Sequence, residues 1–509
     1  MTGSIISGER QLSLDTLQER AARAATGLAA LGVREGDRVA LLLRNDIAFL
    51  EASLAAIRLG VYPVPINWHN TAEEVAYVLA DCGARVLVAH ADLLRAVRDA
   101  VPAGLRVLGV PTPPEIAVAY ALAAAETALP AGVEAWDGWV AGHAPATAAP
   151  LPFRGSIIYT SGTTGRPKGV RRQPMNAAQD ARRAEVSAAV FGIRPELRCV
   201  ITGTLYHSAP NGYALAAIRA GGTMVLQPRF DAEGLLALIE RHRITHLHMV
   251  PTMFVRLLRL PQATRERYDV SSLEWVIHGA APCPPEVKEA MIRWWGPVLY
   301  EYYGSTETGL NTCASSEDWL SHPGTVGRPV QGSSVRIVDD DGTLLGANQV
   351  GQVYLRQDAL SDFTYHRQHQ WRQQIEQDGH VSVGDIGYLD ADGYLFLCDR
   401  KIDMIISGGV NIYPAEIEAV LITMPGVQDC AIFGIPDDEF GERVVAAIQP
   451  EPGARLADEA VLDYLRPHVA AYKLPRRIEY HEALPREDSG KIFKRKLRDP
   501  YWEGRPLAI

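Results

Sequence analysis

Apolar residues recur at helical spacing over 14–31, a run rich in alanine, and Gly32 predicts its end. Residues 37–43, apolar from Val39 onward, read as a buried strand. A helix over 48–59, closed by Gly60, and a strand over 61–66 follow. Thr71 and Glu74 stand at capping-box spacing before the next helix, and 86–89 predicts the strand after it. Helices alternating with apolar strands make an α/β domain with parallel pairing.

Between Pro111 and Pro152 the chain is rich in alanine and proline with weak periodicity, which predicts a surface segment. The alternation resumes with a strand at 199–203, a loop at 205–212, a helix at 214–220 and a strand at 223–226. Asp231 is placed to cap a helix over 232–242. His246 and His248 share one face of the next strand; zinc would need further ligands, so the pair reads as structural. Strands ending at Pro282 and Gly304, then 350–355, lead into a small β-rich subdomain. Asp392-Gly393 between apolar alternations predicts a hairpin. After residue 404 the pattern is a small α+β domain: helix 415–423 with Pro414 at its first position, strands 430–434 and 444–449, and helix 459–469.

A chain of 509 residues exceeds one ordinary core, so two or more domains are expected. With 60 acidic against 50 basic residues the net charge is −10, which argues against nucleic acid as the main partner. Six scattered cysteines without zinc or redox spacing fit a reducing cytoplasm. The N-terminus has no signal-peptide core, and no apolar run reaches the length of a transmembrane segment. Oligomeric state is left open, a homo-oligomer included.

The stretch from Ser156 to Val170 carries the first chemistry. A β-branched strand end leads into Thr160, Ser161, Gly162, Thr163, Thr164 and Gly165, then Lys168. Glycines free the backbone, so N–H groups and hydroxyls converge on one anion and Lys168 adds a point charge. That is a polyphosphate loop, but not a Walker loop, which ends in Gly-Lys-Ser/Thr. Tyr-Thr-Ser-Gly-Thr-Thr-Gly-Arg-Pro-Lys-Gly resembles the signature of the adenylate-forming superfamily, which includes acyl-CoA synthetases, peptide-synthetase adenylation domains and luciferases.

Further motifs follow in that superfamily's order. Gly279 and Ala280 end a strand with little side chain, so a flat base can lie on backbone. Glu301, Tyr302 and Tyr303 precede Gly304-Ser305-Thr306-Glu307. A tyrosine face stacks on adenine, Thr306 reaches the α-phosphate, and Glu307 is a hard ligand for Mg²⁺. Asp385 after a strand can accept both ribose hydroxyls; relatives carry Thr-Gly-Asp where this chain has Val383-Gly384-Asp385, which puts a supporting hydroxyl in doubt. Arg400 would read ribose or phosphate, and Ser407-Gly408-Gly409 exposes backbone to a pantetheine arm.

The resemblance implies more. His207 would border the acyl pocket and Lys491 would be the mobile catalytic lysine. Residues 1–399 would form the large domain, 400–403 the hinge, with Ile402 where relatives often carry Lys or Asp, and 404–509 the small mobile domain. The implied reaction takes a carboxylic acid, ATP and Mg²⁺ to acyl-AMP and pyrophosphate, then passes the acyl group to coenzyme A. Amino-acid-activating relatives place an acid after the aromatic of the 205–211 tract; Tyr206-His207-Ser208-Ala209 has none, which favours a hydrophobic fatty or ring-bearing acid. No attached carrier domain is expected. The alternatives are an enzyme loading a separate carrier protein and a non-catalytic nucleotide-binding protein on the same fold.

Overall fold

The computed structural model describes residues 3–160, 167–408, 410–437, 439–486 and 492–503. Ser161, Gly162, Thr163, Thr164, Gly165, Gly409 and Lys491 lie outside the described residues. The fold is mixed α/β, with a large N-terminal sheet domain and a smaller C-terminal domain.

The alternation at the start of the chain builds a five-stranded parallel sheet, ordered Tyr62–Pro65, Arg38–Leu42, Val86–His90, Arg106–Val110 and Glu134–Ala135. The central stretches of its first strands are apolar on both faces, 39–42, 62–65 and 86–89, because both faces are covered. Val39, Leu41, Val86 and Val88 point into one core, and Ala40, Leu42, Leu87 and Ala89 into another. The Ser13 hydroxyl accepts from Thr16 N to start the helix Leu14–Ala30, and both halves of the Thr71–Glu74 capping box are present.

A second, larger sheet begins with parallel strands, among them Arg198–Ile201, His246–Met249, Trp275–His278 and Leu299–Ser305. It turns antiparallel at the hairpin of Leu299–Ser305 and Gly309–Ala314 and continues into the β-rich part that holds Asp385–Leu389 and Leu395–Arg400. His207, Gly279 and Thr306 all follow the carboxyl ends of parallel strands, the end where open α/β sheets bind ligands. A small antiparallel sheet joins Ile158–Thr160, Lys168–Arg172 and Phe363–Tyr365. The C-terminal domain has its own sheet and its own core, with Ile405, Ile417, Ile432 and Val461 fully buried.

Three expectations change. The 111–152 segment is not merely a surface segment: it forms short helices, and Ile116, Trp136 and Val140 are almost fully buried. Alanine and proline masked that role, because the buried set Trp136, Trp139 and Val140 spans barely one helical turn. The 205–212 loop is shorter than expected, since the helix already starts at Ser208 and runs to Arg219; Pro210 falls in its first turn, where proline needs no N–H partner. The C-terminal strands Val427–Asp437 and Gly441–Pro450 extend well beyond their apolar centres, because the hydrogen-bonded ladder runs on into polar ends. The polar helix Lys494–Trp502 had no apolar period to announce it. Among the described residues no helix is long and apolar enough to cross a membrane.

Candidate active site

The site is assembled around the tip of the Leu299–Ser305/Gly309–Ala314 hairpin. Gly304 is required there: a Cβ would lie 1.8 Å from the Gly309 carbonyl oxygen across the hairpin. Arg172, half-buried at the end of its strand, clamps the tip from outside. Its Nη2 donates to the carbonyls of Thr306 (3.0 Å) and Glu307 (2.7 Å), and its Nη1 to that of Ser361 (3.0 Å). Burial pushes this guanidinium down to about 10, against the pull of Glu307 and Asp362.

From the tip outward, contacts tie separate motifs into one array. Tyr365 donates its hydroxyl to Glu307 Oε1 at 3.1 Å. Lys168 Nζ sits 5.6 Å from the Tyr365 ring centre and 3.2 Å from that of Trp371. Thr306 shares a hydrogen bond with Ser208 (3.1 Å), in the first turn of the helix that His207 begins. Tyr303 donates to Asp385 Oδ2 at 2.6 Å, and Asp385 Oδ1 pairs with Arg400 Nε at 3.3 Å across adjacent strands. The Glu307 carboxylate acts electrostatically on both Lys168 and Arg400. Burial pushes the Lys168 ammonium down and the Tyr303 phenol well up. The hydroxyl missing at Val383 has a substitute, because Tyr303 supplies one to Asp385.

Gly279 and Ala280 follow the end of the strand Trp275–His278. A Cβ on Gly279 would meet the Tyr302 ring and carbonyl at 2.7 Å, so hydrogen alone fits. Ala280 takes a φ of +71°, which a side chain resists. Thr160 pairs with Lys168 where the strands Ile158–Thr160 and Lys168–Arg172 meet. The His207 ring packs 4.3 Å from that of Tyr206.

Glu301 is a correction. Its carboxylate is not at the array but buried beneath it, 2.6 Å from Lys288 Nζ and 3.7 Å from His278 Nε2. Strand alternation turned it to the far face from Tyr302. Tyr302 is buried too, hydrogen-bonded to His248 (3.0 Å) and packed on Phe191, so its ring is wall rather than an open stacking face. Tyr303 is the tyrosine that meets Asp385. The histidine pair is structural as expected: His246 Nε2 donates to the Gly192 carbonyl at 2.8 Å, and burial pushes both imidazoles down to about 4.

Ser407 and Gly408 belong to the C-terminal sheet. Ser407 lines a cavity of about 290 Å³ with Phe440, Arg443, Tyr472 and Arg476, and with the acids Asp437 and Glu439. Ile402 presents its carbonyl to Arg498 Nη1 at 2.8 Å.

Comparison with known proteins decides the family. The AMP-binding enzyme model matches residues 3–362, and the model of the AMP-binding enzyme C-terminal domain matches 416–491. The chain belongs to the AMP-binding enzyme family. Among its members, the long-chain-fatty-acid–CoA ligase FadD13 of Mycobacterium tuberculosis is 33% identical over 493 residues, covering 94% of this chain and 91% of the relative. The feruloyl-CoA synthase of an Amycolatopsis species is 32% identical over 500 residues, covering 96% and 94%. The crystal structure of the anthranilate CoA ligase AuaEII superposes with a TM-score of 0.84 at 26% identity, over 98% of this chain and 94% of the other.

In this AMP-binding enzyme, motif reading missed Arg172, Ser208, Tyr365 and Trp371. Arg172 follows Arg171 in a strand, and nothing local says which of the two turns inward. Tyr365 and Trp371 reach the site only through the pairing of Phe363–Tyr365 with Lys168–Arg172.

Proposed function

We propose that the protein is an ATP-dependent carboxylate–CoA ligase forming acyl-AMP and pyrophosphate, then an acyl-CoA thioester. The observation that supports it best is the contact array from Lys168 through Tyr365 and Glu307 to Arg400, Asp385 and Tyr303, which gathers charged groups from four distant motifs. In the first step a carboxylate oxygen attacks the α-phosphorus and pyrophosphate leaves. Lys168 and Lys491 offset the repulsion between the two anions. Thr306 and the 160–165 loop orient phosphate oxygens. Asp385 accepts the ribose hydroxyls while Arg400 and Tyr303 hold its carboxylate in place. Gly279 and Ala280 offer backbone to the adenine. His207 borders the carboxylate being activated.

Glu307 fits Mg²⁺: it is a hard carboxylate at a clamped hairpin tip, within reach of phosphate-binding groups. Bound there, Mg²⁺ would neutralise phosphate charge.

In the second step the thiol sulfur attacks the acyl carbon and AMP leaves. The cavity beside Ser407 offers two guanidinium groups and two aromatic rings, which suit the phosphates and adenine of coenzyme A. Rotation about 400–403, with 1–399 and 404–509 as the moving bodies, would exchange Lys491 for the Ser407–Gly409 surface. A hydrophobic fatty or ring-bearing acid fits an activation site flanked by Tyr206 and Trp68, whose rings meet edge-on at 6.4 Å. A cytoplasmic setting fits six free cysteines.

The test is ATP–pyrophosphate exchange across a panel of acids, followed by coenzyme A or a pantetheinylated carrier protein. Exchange with thioester formation only on coenzyme A is expected; transfer only to the carrier protein would move the enzyme to the carrier-loading class. Lys491→Ala is expected to cut adenylate formation roughly a hundredfold or more with the fold intact. Pyrophosphate release at the wild-type rate in that variant would refute the assignment.

A further inference from the structure

Lys168 leaves its strand on the face that carries Val170, over a small core of Phe363, Tyr365 and Val381 against which Trp371 packs. Trp371 lies on the helix His369–Gln374, which follows the partner strand Phe363–Tyr365 after a short turn. The lysine ammonium lies 3.2 Å from the indole centre, well inside cation–π range. Its second neighbour, at 5.6 Å, is the Tyr365 ring, and the hydroxyl of that same tyrosine is bonded to Glu307. Tyr365 therefore stands between the lysine and the glutamate. Glu307 is near enough to act on Lys168 through its field, yet among the described residues Lys168 closes no ion pair. Two opposite charges in a half-dry site attract strongly. Something must keep them apart, and the aromatic seat is the group in contact.

We propose that Trp371 is a positioning residue for Lys168. Its indole face seats the ammonium and holds it off Glu307, so that the lysine is presented to phosphate oxygens and the carboxylate to a cation. The proposal rests on the reading of Lys168 as a phosphate ligand. Without the indole the ammonium collapses onto Glu307, and ATP must break that pair to bind.

The test is ATP binding by titration calorimetry on the full chain, with no acid present, in EDTA and again with Mg²⁺. Trp371→Ala is expected to weaken ATP about tenfold, and Trp371→Phe, which keeps a π-face, to stay within about twofold. Trp371→Leu fills the space without a π-face and should behave as Trp371→Ala, which guards against simple loss of packing. In a Lys168→Met background Trp371→Ala should cost nothing further. An equal loss in that background, or wild-type affinity in Trp371→Leu, overturns the seat. If Lys168→Met binds ATP normally, the phosphate role of the lysine fails and the seat with it. If Lys168→Met is weakened while Trp371→Ala is not, the seat alone fails.

Discussion

Glu301 and Glu307 come from one hairpin, and their surroundings separate them completely. Glu301 faces inward and is buried on Lys288, with His278 behind it. Burial pushes its carboxyl up, opposed by the lysine. Glu307 sits at the tip, its backbone held by Arg172; among the described residues its carboxylate accepts from the Tyr365 hydroxyl. A lysine acts with each: Lys288 closes onto Glu301, whereas Lys168, within the field of Glu307, rests on Trp371. A carboxylate compensated inside the fold is structure; one held in place but left uncompensated can take a ligand.

The largest expected effect breaks the buried pair. Glu301→Gln leaves Lys288 charged and unpaired and should cost about 3–5 kcal/mol of stability in chemical denaturation. The double change Glu301→Leu with Lys288→Met should recover most of that loss, since apolar replacement of a buried pair is often neutral. Next, Glu307→Gln should slow pyrophosphate exchange about a hundredfold, roughly 3 kcal/mol, with an unchanged Tm. A fall in Tm matching that of Glu301→Gln would erase the distinction between the two acids.

Tyr303→Phe tests the array at its other end. Asp385 loses one hydrogen bond, worth about 1 kcal/mol, so KM for ATP should rise severalfold while kcat for exchange barely moves. An unchanged KM would detach Asp385 from the nucleotide. A third carboxylate, Glu442 in the C-terminal domain, tests compensation away from the site. It is buried, and desolvation raises its carboxyl from 4.5 to about 7. The folded state therefore favours the protonated form, and stability falls as pH rises through the window from about 4.5 to about 7. Glu442→Gln should raise Tm at pH 8 and leave it unchanged at pH 5; equal gains at both would mean the charge is not the cause.

Much of the architecture was legible because it depends on period and caps. The Thr71 box, the Asp231 cap, the Asp392-Gly393 hairpin and the alternating α/β strands are local rules, and the structure follows them. The 111–152 segment failed that reading because its buried helices are only one or two turns long, too short to show a period among the alanines and prolines, and the Ser208 helix began inside what looked like a loop.

By itself the sequence determined which motifs exist, their order and the chemistry each side chain can do: a hydroxyl- and glycine-rich stretch ending in a lysine, an acid at 307, an acid at 385, an arginine at 400. Tertiary structure alone decided which acid faces the array, which tyrosine meets Asp385, that Arg172 clamps the tip, and that Trp371 stands over Lys168. The physical reason is that residue type is carried locally, while facing and burial arise from strand register and sheet order, which bring together residues nearly two hundred positions apart.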